Sequence, residues 1–267
     1  MFLVFFGLWL TPPAASYAET EPTSQHEKEE LGINEYTTPS IEGLFRHLDF
    51  FAPIPVDSIA RPLKTRSSPN RVLQALEFGS MIADGFLLVE EQKNAEIQNF
   101  GRELLRRARS LGVGTEISQH AQSLMDLGRN AEWPELRQEL IATQQSVEKA
   151  LIELRDDELA HMISLGGWFR ALEFASASVV AKFSPEKALG LANVELLDYY
   201  IDRMETLSPS LRATPTITLL LDNLRSVRMI VARPSISPED AQHVFKLAQD
   251  ANRAIRNDPP APVPSRN

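Results

Sequence analysis

The chain has 267 residues, no cysteine, and 36 acidic against 27 basic side chains, for a net charge of −9. Without cysteine there is no disulfide, thiol nucleophile, thiolate metal site or covalent haem attachment, so packing alone must hold the chain together. The acidic balance opposes nonspecific attraction to nucleic acid and to anionic lipid, and no nucleic-acid partner is expected.

Residues 2–10 (FLVFFGLWL) form an apolar run followed by Pro12, Pro13 and small residues that end at Ala18. This is the pattern of a secretory leader processed after Ala18, although no Lys or Arg precedes the run. Nine apolar residues are too few to span a bilayer, which takes roughly 20. The expectation is an exported protein, periplasmic or secreted, with residues 1–18 removed and no transmembrane anchor afterwards. Residues 19–39 are polar, acidic and almost free of aliphatic side chains, the composition of a disordered leader. At the other end, residues 257–267 carry four prolines and cannot continue a helix.

Between the tails the apolar period is helical, and alternating strand-like runs are scarce. The spacing predicts helices over 40–51, 69–92, 94–111, 115–128, 134–155, 157–182, 185–207, 214–232 and 238–256. Ser184-Pro185-Glu186 and Ser237-Pro238-Glu239 each place a capping hydroxyl before a proline and an acid in the first turn. Trp133-Pro134 and Thr214-Pro215 are weaker starts. Gly112 and Gly128 are placed to end helices in a left-handed cap. No repeat of about 34 residues is present, so a solenoid is not expected. The fold class that follows is all-α: one domain over residues 40–256, a bundle of eight or nine helices around a buried central pair, 69–92 and 157–182.

The stretch 52–70 is the one long internal segment without helical period, with four prolines and a basic set in Arg61, Lys64 and Arg66, joined by Arg71 just after it. The simplest reading is a solvated connector; a patch for an anionic partner is the sharper one. Residues 162–181 (MISLGGWFRALEFASASVVA) contain only two charges, Arg170 and Glu173. A helix uncharged nearly all round belongs at the centre of a bundle. Membrane insertion is rejected, because an Arg at mid-bilayer costs about 2.5–3.5 kcal/mol and Glu173 adds to it.

Buried, Arg170 must find a carboxylate or a fan of carbonyls. Glu173 shares its helix face at i+3, and Asp84 on the 69–92 helix is the other candidate. Small residues at Gly79 and Ala83 on one helix, and at Gly167, Ala171 and Ala175 on the other, would let the two cross closely. Asp84, Arg170 and Glu173 are therefore read as a buried polar network. It is either the floor of a ligand pocket or a plain ion pair, with Asp84 in a solvated acidic stripe beside Glu77 and Glu91.

Glu158 and His161 have the Glu-x-x-His spacing of carboxylate-bridged metal bundles, echoed by Asp240 and His243, but the two further inward glutamates such a site needs cannot be named. No cofactor is expected. No nucleophile elbow, zinc helix or phosphate-cradling glycine loop is present. Arg102, Arg106, Arg107 and Arg109 read as charges suited to a helix C-terminus. Trp168, Phe169, Phe174 and Phe183 read as packing residues, and Tyr199 and Tyr200 sit mid-helix. The functional expectation is a noncatalytic module binding a partner protein or an envelope component. The alternative is a helical bundle carrying a metal or a small ligand at Glu158 and His161 or around Arg170.

Overall fold

The computed structural model describes residues 48–63 and 67–256. The leader, the acidic segment, most of the expected 40–51 helix and the proline-rich tail lie outside the described residues.

Among the described residues there are eleven helices and no strand, so the fold is all-α. A single turn, α1 (Val56–Ile59), interrupts the connector. Then come α2 (Arg71–Glu90), α3 (Asn94–Leu111), α4 (Gly114–Asn130), α5 (Trp133–Glu153) and α6 (Asp157–Ala181). The chain ends with α7 (Pro185–Leu189), α8 (Val194–Thr206), α9 (Pro209–Arg212), α10 (Pro215–Val231) and α11 (Pro238–Arg256).

The architecture is two four-helix rings packed together chiefly through α2 on α6, with lesser contacts of α5 on α6 and of α11 on α2. In the first, α2 packs on α3, α3 on α4, α4 on α5, and α5 closes back on α2. In the second, α6 packs on α11, α11 on α10, α10 on α8, and α8 returns to α6. The rings meet where α2 crosses α6, and one continuous apolar core runs through both. Every residue of α6 from Met162 to Val179 is buried, as its composition requires. α2 is the one helix among the described residues long and apolar enough to cross a membrane, and most of it is buried in the core.

The crossing is set by two glycines. A Cβ on Gly79 would lie 1.8 Å from the Ile163 carbonyl oxygen, and one on Gly166 would lie 2.1 Å from that of Leu76. The backbones touch there, so only the absence of a side chain allows the approach. The small-residue expectation is thus met at Gly79, but the partner position is Gly166, with Gly167 supplying only a nearby backbone nitrogen.

Most helix signals act as read. The Ser184 hydroxyl accepts from Lys187 N–H, and Ser237 and Asp240 cap each other reciprocally. Gly112 takes φ +90° at the end of α3. Gly128 does not end its helix. α4 runs on to Asn130, and Ala131 adopts the left-handed cap at φ 59°. Gly128 is needed inside the helix because Ile97 would stand 2.5 Å from its Cβ. The expected 185–207 helix is two helices, broken after Leu189 and restarted where the Asn193 side chain accepts from Leu196 N–H. Phe183 lies beyond the end of α6 and is exposed.

Candidate functional site

Arg170 projects from the middle of α6 and is 1% exposed. Its Nε donates to Asp84 Oδ1 at 2.7 Å, Nη1 to Glu173 Oε2 at 2.6 Å, and Nη2 to the Ile59 carbonyl at 2.6 Å. The guanidinium also lies 4.4 Å from the centre of the Phe174 ring. The three residues singled out from the sequence are thus brought together.

The structure adds members the sequence reading missed. Arg61 turns inward from the connector, donating through Nε to Asp84 Oδ2 at 2.9 Å and through Nη2 to Ser80 Oγ at 2.6 Å. Asn252 on α11 donates to the Phe169 carbonyl at 2.9 Å and to Glu173 Oε2 at 2.8 Å. Two guanidiniums face two carboxylates, so the cluster is neutral, and each charge has charge-assisted hydrogen bonds. Burial alone would raise the Asp84 carboxyl, but Arg170 and Arg61 outweigh it and hold it below the ordinary carboxylate value. Burial opposes the charge on Arg170 too, and Asp84 with Glu173 lifts it above the usual guanidinium value. For Arg61 burial wins and lowers it to about 10.

Asp84 is therefore not in a solvated acidic stripe. Nor is Glu77, about two turns away, which is 3% exposed. Arg107 Nη1 donates to Glu77 Oε2 at 2.8 Å and Arg107 Nε to Glu103 Oε1 at 2.8 Å, while Ser67 Oγ donates to Glu77 at 2.9 Å. Arg107 is thus a buried ion-pair residue rather than a solvated complement to the helix dipole. Among the described residues the connector is tied down at both clusters, through Arg61, the Ile59 carbonyl and Ser67; Lys64 and Arg66 of the basic set lie outside the described residues.

Above the first cluster the connector, the C-terminal half of α2 and the N-terminal half of α3 enclose an open groove of about 520 Å³. Val56, Leu63, Leu87 and Leu88 make its apolar walls, with Phe100 fully buried behind them. Arg61 and Asp84, with 15% and 19% of their side chains accessible, make its floor. Glu91, Lys93 and Glu96 stand among its lining residues, two acids against one base.

Glu158 and His161 line a separate hollow of about 440 Å³ with Asp157 and Arg203. Among the described residues no group of three or more His, Asp or Glu side chains could hold a metal ion. His161 Nδ1 is instead 2.6 Å from the Tyr199 hydroxyl. Partial burial, helped by Arg203 and opposed by Asp157, lowers its imidazole to about 4, so it is neutral at physiological pH. Burial raises the Tyr199 phenol, which stays protonated and donates to the ring nitrogen. The geometry is that of a neutral hydrogen-bonded pair.

Comparison with protein-family models, with curated proteins and with solved structures gives no match.

Asn252 carried a readable signal, being a polar residue on the same face as Ala248 and Ile255. Arg61 carried none. It lies outside any periodic segment, and only the path of the connector turns it toward Asp84.

Proposed function

We propose that this chain is an exported binding module, and that the groove between the connector, α2 and α3 is the seat for its partner. The observation that carries this reading is the groove itself: an apolar-walled hollow of about 520 Å³ over a charged floor. That volume lies in the range of ligand sites, which pair apolar walls with a few placed polar groups. The floor charges neutralise one another, which suits a rigid surface for recognition and leaves no unpaired group there to attack a substrate. The reading is therefore noncatalytic at this site. The acidic excess of Glu91 and Glu96 over Lys93 favours an apolar group with a basic end, offered by a partner protein or an envelope component. Export rests on the leader-like pattern of residues 1–18.

The test uses three probes of one chain length, a decylamine, a decanol and a decanoate, titrated into isotopically labelled protein. The expected result is saturable movement of the Val56, Leu88 and Phe100 resonances, strongest with the amine. Leu88→Glu should abolish it without changing the unfolding midpoint by more than a few degrees. Shifts spread over the whole surface, or none in the groove, would refute the reading.

A further inference from the structure

On the seam between α4 and α5, away from the groove, three side chains are in line. His120 on α4 places Nδ1 2.5 Å from Glu139 Oε1 and Nε2 2.8 Å from Ser146 Oγ, both partners being on α5. A carboxylate only accepts, so Nδ1 carries a proton. In the neutral imidazole Nε2 is then the free base and accepts from the Ser146 hydroxyl. This is the order of roles by which a histidine, fixed in one tautomer by an acid, draws the proton from a serine. The imidazole and the carboxylate keep 24% and 20% of their surface accessible, and Ser146 is half-buried, so a small molecule can reach them.

We propose that Ser146, His120 and Glu139 form a reactive hydroxyl site that accepts an acyl group from small activated carboxylic esters. In the first step Ser146 Oγ bonds to the acyl carbon, and its proton passes to His120 Nε2. The bond from that carbon to the leaving oxygen breaks, and the leaving oxygen takes the proton from Nε2. Water then adds to the acyl carbon with His120 again accepting a proton, and Ser146 Oγ leaves carrying that proton back. Carboxylic acid and alcohol are the products. Glu139 holds the imidazole and supports its transient positive charge; it is a positioning residue.

The setting limits the substrate class. Ser146 lies inside α5, where the surrounding backbone N–H groups are committed to the helix ladder. They cannot serve a developing oxyanion, a contribution worth about 10²–10³ in rate in sites that have it. Aryl esters, whose leaving groups need little assistance, fall within reach, and peptides do not.

The test exposes the full chain to p-nitrophenyl acetate and, separately, to an alkyl fluorophosphonate, and follows each modified serine by peptide mass spectrometry. Ser118, an exposed hydroxyl on α4 that donates to the Thr115 carbonyl, is the internal reference. General-base assistance of about 10²-fold predicts that Ser146 is modified about 10²-fold faster than Ser118. His120→Gln should reduce Ser146 to the rate of Ser118. Glu139→Gln should slow it at least about tenfold, which loss of a merely structural bond would not do. Modification of Ser146 no faster than Ser118 in the unaltered protein would overturn the proposal, and so would an unchanged rate in a folded His120→Gln variant.

Discussion

Replacing Arg170 by Met keeps much of the side chain's volume and removes its charge. What remains is one guanidinium, Arg61, against two carboxylates, Asp84 and Glu173, in a place where Arg170 itself is 1% exposed. The Ile59 carbonyl loses its donor as well. Breaking a buried pair by deleting one partner typically costs about 3–5 kcal/mol, because a charge is left uncompensated. For a domain of this size each kcal/mol moves the unfolding midpoint by about 2–4 °C, so the drop should be roughly 10 °C. The dependence on pH sharpens the test. In the native protein the Asp84 carboxyl is held low, so its contribution is present above the unfolded value of about 3.9 and is lost as pH falls through the folded value. In the variant the surplus negative charge favours protonation, so the deficit should be largest at neutral pH and shrink toward about pH 4. Adding Glu173→Gln should restore part of the loss by returning the cluster to neutrality. Denaturant unfolding at several pH values reads all of this. A loss below about 1 kcal/mol at neutral pH, or one that does not change with pH, would show that the cluster is not the tightly compensated network described here.

Three further outcomes are expected. Gly79→Ala puts a methyl group 1.8 Å from the Ile163 carbonyl, so the rings must part, and a loss at or beyond the upper end of the usual 1–3 kcal/mol for overpacking (roughly) should appear in denaturant unfolding. The His161 imidazole, lowered to about 4, should stay neutral in an NMR titration down to about pH 5. Between the unfolded value near 6.5 and the folded one, the unfolded chain binds more protons, so this residue's contribution to stability is lost as pH falls through that window, and Tyr199→Phe should change the titration midpoint. Asn252→Ala removes donors to Phe169 and Glu173; a loss of about 1–3 kcal/mol is expected from the partners left unsatisfied, measured as a shift in unfolding midpoint at constant denaturant slope.

Local signals carried much of the fold. Ser184, Ser237 and Gly112 act where the sequence placed them because capping and left-handed φ are decided within one turn. Gly128 misled because a glycine has two uses, and the one in force depends on Ile97 in another helix. Glu77 and Arg107 misled in the same way. Each sits on a helix with charges suited to solvent, and their mutual burial arises only when α2 and α3 pack side by side.

The amino-acid order by itself determined that the stretch around Trp168 is a helix with no side fit for water, and that Arg170 must there be met by a carboxylate or a fan of carbonyls. Two charges in twenty residues allow no other placement. Only the tertiary structure decided which groups meet it and what surrounds the meeting point. Ile59 and Arg61 come from the connector, Asp84 from α2 and Asn252 from α11, and the walls of the groove above them likewise come from separate elements. Convergence of that kind is fixed by how the rings close on each other, a property that no local period encodes.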